Sequence, residues 1–94
     1  MTENDEKLLL NEAVIKWGLQ AQLSMVQEEC GELIVAVGKV LRGDLRPTEN
    51  FIEEIADVRI MLAQMEVAYG IGRDVEEVRK AKLERLTKRL GIDT

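Results

Sequence analysis

Ninety-four residues allow one small domain, spanning 1–94, and leave no room for a second. Eighteen Asp and Glu against thirteen Lys and Arg give a net charge of -5, which excludes the basic footprint of a nucleic-acid-binding surface. A single cysteine rules out an internal disulfide framework, no apolar run approaches the roughly 20 residues that cross a bilayer, and no signal-peptide pattern opens the chain, which therefore reads as cytoplasmic.

Apolar periodicity and the punctuation between periodic stretches predict four helices and no strand. The first runs from about Asp5 to Trp17, and the second from about Gln22 to Arg42; whether they are continuous stays open. Gly43 stops the second helix as a C′ residue in the turn Gly43-Asp44-Leu45-Arg46-Pro47. The third starts after Pro47, with Thr48 or Asn50 as its cap, and runs to about Tyr69, before Gly70 and Gly72. Asp74 followed by Glu77 resembles a capping box for the fourth, which ends near Leu90 with Gly91 beyond. The fold class is an all-α, small four-helix bundle-like domain whose modest core calls for completion by oligomerisation, as a homodimer or homotetramer.

Two acidic motifs stand out, Glu28-Glu29-Cys30-Gly31-Glu32 and Glu53-Glu54-Ile55-Ala56-Asp57. Helical spacing stacks Glu29 on Glu32 and Glu54 on Asp57. Advancing about 100° per residue, Glu54 falls beside Met61 and Met65 in an apolar stripe continued by Phe51, Ile55, Leu62 and Tyr69. Glu29 projects between Ala36 and Val40. An ionised carboxylate in such a seam is costly unless it is paired or binds a metal. Two of them about 4 Å apart repel by roughly 4 kcal/mol at an effective dielectric near 20. One such glutamate reads as a solvated charge; four in matched pairs, brought together by antiparallel packing, read as a cation site.

The donors identify the cation class. With no histidine in the chain, a di-iron site built on Glu-x-x-His pairs is excluded. All-oxygen ligands suit Mg²⁺, with Mn²⁺ as an alternative, and no loop has EF-hand spacing for calcium. Magnesium on a few carboxylates commonly holds substrate phosphates, and no P-loop is present to share that task. Basic help is available from Arg79, Lys82 and Arg85 on the last helix, which equally suit surface ion pairs with Glu76, Glu77 and Glu84. Trp17, the only tryptophan, reads first as a core residue and second as a base-stacking platform. Cys30 reads as a small core residue.

The run Glu28-Glu29-Cys30-Gly31-Glu32-Leu33, then Glu54-Ile55-Ala56-Asp57, resembles the MazG-like, all-α nucleoside triphosphate pyrophosphohydrolase superfamily, whose pattern is Glu-Glu-x-x-Glu followed by Glu-x-x-Asp. Lys16-Trp17-Gly18, Gln22-Leu23-Ser24-Met25 and Lys82-Leu83-Glu84-Arg85 extend the likeness over nearly the whole chain. The resemblance implies Mg²⁺-dependent hydrolysis of (deoxy)nucleoside triphosphates to monophosphate and pyrophosphate. It implies Glu29, Glu32, Glu54 and Asp57 as metal ligands, and Glu28, with Glu29 able to share the task, as the group that orients or deprotonates water. Lys82 and Arg85 would contact phosphates; Trp17 stays a candidate substrate contact on its stacking reading alone. Sites in that family are often completed across subunits. One departure is that the last helix lacks the asparagine some relatives carry near its basic residues. Two other readings compete: a nucleotide or metal sensor without turnover, and a dimeric interaction protein with acidic faces.

Overall fold

The computed structural model describes residues 1–92. Its regular structure among the described residues consists of α1 (Glu3–Trp17), α2 (Leu19–Arg42), α3 (Glu49–Tyr69) and α4 (Gly72–Leu90), with no strand. The all-α, four-helix expectation holds.

Helix ends follow from local chemistry. Thr2 and Asp5 form a reciprocal capping box, the Thr2 hydroxyl accepting from the Asp5 N–H at 3.1 Å and the Asp5 carboxylate from the Thr2 N–H at 3.0 Å. These bonds satisfy free amides at the first turn, so α1 begins at Glu3, two residues before the expected start. Gly18, at φ 88° and ψ 150°, breaks the chain between α1 and α2, so the two are separate helices joined by one residue. That backbone conformation is open to glycine and strained for any other residue.

Gly43 ends α2, its N–H donating to the carbonyls of Lys39 and Val40, but at φ -90° it is not left-handed. The positive φ of the turn, 71°, falls on Leu45 instead. Thr48, rather than Asn50, caps α3, accepting from the Phe51 N–H at 3.0 Å. Removing this bond by Thr48→Ala is expected to destabilise the fold by about 1 kcal/mol, seen as a lower melting temperature by circular dichroism; an unchanged melt would show that the cap contributes nothing. The capping box expected at Asp74 and Glu77 does not form. Gly70, left-handed at φ 64°, closes α3, and α4 begins at once at Gly72 with no side-chain cap, so Asp74 is already inside the first turn. There it still complements the helix dipole.

The 24-residue α2 and 21-residue α3 fold back on each other as a hairpin, α1 packs across both, and α4 packs against α3 alone. The inward row of α2 is Gln22, Val26, Glu29, Leu33, Ala36 and Val40; that of α3 is Glu54, Val58, Met61, Met65 and Ala68, with Gln64 beside it. The single stripe expected on α3 splits here. Met61 and Met65 face inward with Glu54, whereas Leu62 and Tyr69 are about half exposed. Helical rotation separates them by enough to put the second set on an outer face.

Burial is sparse as a result. Leu10 and Ala36 are the apolar residues fully buried among those described, while Ile34, Leu41, Leu62, Val78, Leu86 and Leu90 are open to solvent. The radius of gyration is 16.2 Å, against about 12 Å for a compact domain of this length.

Candidate metal centre

Each inward row is interrupted by one acid, and the two acids meet. Glu29 lies mid-way along α2 between Val26 and Leu33, half-buried; Glu54 lies one turn into α3 and keeps only 8% of its surface. Amphipathic packing of the hairpin carries both carboxylates inward with the flanking Val, Leu and Met side chains. Asp57, three residues after Glu54, returns to the same face at the solvent edge. One oxygen from each of Glu29, Glu54 and Asp57 lies within 4.8 Å of the others.

Glu32 stands beside this trio rather than in it. It is exposed, yet its charge bears on both buried acids. Burial, then the charges of Glu32 and Asp57, pushes the Glu29 carboxyl above the ordinary 4.5. Burial raises Glu54 too, followed by the charges of Glu32, Glu29 and Asp57. Oε2 of Glu29 and Oε2 of Glu54 are buried with no hydrogen-bond partner. Buried polar atoms without partners are rare and expensive. Four neighbouring carboxylates and two orphaned acceptor oxygens form an arrangement that a hard divalent cation would satisfy, and that the protein's own groups do not.

Glu54 of the trio also lines a cleft of about 410 Å³ between α2 and the start of α3, together with Glu28, Gly31, Glu32, Val35, Lys39 and Asn50. Glu28 is exposed on this wall. A larger cavity, about 660 Å³, lies between α1, α3 and the start of α4. It shares no residue with the carboxylate trio, whereas the smaller cleft shares Glu54.

The remaining sequence-predicted residues are elsewhere. Lys82 and Arg85 are exposed on α4, which does not pack on α2, and neither lines the cleft. Arg79 takes the alternative foreseen for it, an ion pair with Glu76 at 3.5 Å. Trp17 is not a core residue: as the last residue of α1, before the Gly18 break, it is 58% exposed, with the Lys16 ammonium 5.6 Å from its ring centre. Cys30 is half-buried and free.

Sequence reasoning overlooked Lys39 and treated Asn50 only as a possible cap, yet both line the cleft. The signal was present in the spacing, since Lys39 follows Glu28 by eleven residues and Glu32 by seven, on one helical face. It also overlooked the buried Gln22 and Gln64, the latter with an unpartnered Oε1. No protein-family profile, curated protein sequence or solved structure matched this chain. The site is therefore judged on its own geometry.

Proposed function

We propose that this chain is a MazG-like, Mg²⁺-dependent nucleoside triphosphate pyrophosphohydrolase, converting a (d)NTP to the monophosphate and pyrophosphate. The observation that carries the reading is Glu54, a carboxylate 8% exposed with an orphaned oxygen, its ligand atom within 4.8 Å of those of Glu29 and Asp57. A fold selected only for packing gains nothing from that cluster. The all-oxygen donor set fits Mg²⁺, or Mn²⁺ in its place.

Glu29, Glu54 and Asp57 would hold the cation, with Glu32 close enough to join them. The bound ion would neutralise phosphate charge and stabilise the departing pyrophosphate. Glu28, exposed on the cleft wall, would orient the attacking water and accept its proton; Glu29, whose proton affinity is raised by burial, is the other candidate base. The water oxygen bonds to the α-phosphorus, the bond from that phosphorus to the α,β-bridging oxygen breaks, and the proton passes to the carboxylate.

Self-association belongs to this proposal. Apolar rows on the outer faces of α2, α3 and α4, including Ile34, Leu41, Leu62 and Leu86, are uncovered in the single chain. A homodimer or homotetramer that buries them would also give Lys82 and Arg85 a route to the cleft of another copy.

The test is incubation with a panel of NTPs and dNTPs, with Mg²⁺ and with chelator, the products resolved by phosphorus NMR. Monophosphate plus pyrophosphate, formed only with metal, is the expected result. Diphosphate plus inorganic phosphate would contradict the assigned bond cleavage. No turnover of any nucleotide by folded protein would favour the non-catalytic sensor or interaction-protein readings.

A further inference from the structure

We infer that Lys39 is the cleft's own polyphosphate-binding cation, supplied by the same chain and helix as the first acidic motif, with Asn50 facing it as a neutral donor. The inference rests on the pyrophosphohydrolase reading and assigns a substrate-contacting role to residues outside both acidic motifs.

Glu28, Gly31, Glu32, Val35 and Lys39 all line the cleft. They recur at intervals of three and four residues along α2, so one helical face supplies one wall. Lys39 lies seven residues beyond Glu32, about 10 Å along the helix axis. Side chains on a helix lean toward its N-terminus, which brings the Lys39 ammonium back toward the carboxylates rather than away from them.

That ammonium is free. The ion pairs among the described residues join Lys7 to Glu3, Arg46 to Asp44 and Arg79 to Glu76, and none includes Lys39. A lysine that shares a cleft with Glu28 and Glu32 and pairs with neither leaves its charge available to a ligand. Across the cleft Asn50 sits in the first turn of α3, where the positive end of that helix's dipole adds to the attraction for an anion.

The charge balance favours such a cation. Three carboxylates, Glu28, Glu32 and Glu54, line the cleft, Glu29 and Asp57 group with Glu54, and Lys39 is the one basic lining residue. A divalent cation offsets only part of that charge, and a polyphosphate brings several more negative charges. No residue of α4, Lys82 and Arg85 included, lines the cleft in this chain. Lys39 is thus the cation best placed to meet the distal phosphates while the carboxylates hold the metal.

The experiment is calorimetric titration of inorganic pyrophosphate, in saturating Mg²⁺, into the wild type, Lys39→Met and Lys39→Arg, paired with steady-state kinetics. Lys39→Met is expected to weaken pyrophosphate binding about tenfold or more, the scale of one charge-assisted hydrogen bond. It should raise KM while leaving Mg²⁺ affinity in the absence of pyrophosphate within about twofold. Lys39→Arg, which keeps the charge, should retain most of the affinity. Wild-type pyrophosphate affinity in Lys39→Met would overturn the inference and leave the pyrophosphohydrolase reading standing. Absence of Mg²⁺-dependent pyrophosphate binding and of nucleotide hydrolysis in the wild type would overturn both.

Discussion

Glu54→Gln is expected to melt several degrees above the wild type in metal-free buffer at neutral pH, and to lose both the stabilisation by Mg²⁺ and nucleotide turnover. The neutral amide keeps the shape of the side chain, removes one charge from a cluster of four and can donate to the orphaned Oε2 of Glu29. Sites that bind metal commonly carry such strain, relieved only by the ligand or by a disabling substitution.

The sign of the pH dependence follows from the same groups. Folding raises both Glu29 and Glu54 above the ordinary 4.5, so between the unfolded and folded values the native state binds more protons. The contribution of these two groups to metal-free stability is therefore greatest below about 4.5, the unfolded value, and is lost as pH rises through the folded values. Mg²⁺ should reverse the fall at neutral pH, and Glu54→Gln should flatten the profile. Thermal melts across pH with and without Mg²⁺ check all three. A wild type whose stability rises from pH 5 to pH 7 without metal would contradict the assignment of Glu29 and Glu54 as mutually destabilising acids.

The second large effect concerns assembly. The wild type is expected to sediment as a dimer or tetramer, and Leu62→Glu to shift it toward monomer with a lower melting temperature. Leu62 is 48% exposed on the outer face of α3, in line with the half-exposed Tyr69. Covering the exposed half of this leucine in an interface contributes roughly 1 kcal/mol, counted twice across a twofold axis, and a buried glutamate replaces that gain with a desolvation cost. Analytical ultracentrifugation over a dilution series reads the shift. A monomeric, fully stable wild type would mean that the open apolar rows need no partner.

The four helices were legible because their punctuation is strong. Gly43, Gly70 and Gly91 each fall at a helix end, and Thr48 caps α3; the break at Gly18, left open by the apolar pattern, comes from its glycine-only backbone conformation. The start of α4 was not, because the Asp74-to-Glu77 spacing imitates a capping box while the two-residue link through Gly70 and Ile71 begins the helix earlier. Glu29 and Glu54 could be placed on inward faces from rotation alone, since each is flanked by apolar residues at helical intervals. Rotation could not separate the inner from the outer apolar row of α3, because Met65 and Leu62 are both apolar and only packing against α2 distinguishes them. Trp17 was misjudged for a related reason: large apolar size argues for burial, but position at a helix break decides what is near enough to cover it. Lys39 shares its helical face with the acids, but a lone lysine near the end of an exposed helical face reads as a solvated charge until the fold sets Asn50 and Glu54 opposite it.

The central claim, that these carboxylates are held together for a divalent cation, is tested most directly by isothermal titration of Mg²⁺ into metal-free wild type and Glu54→Gln at pH 7. Saturable binding by the wild type that disappears in the variant is the predicted result. No saturable binding by the wild type, or equal binding by the two proteins, would contradict the metal centre and the reaction built on it.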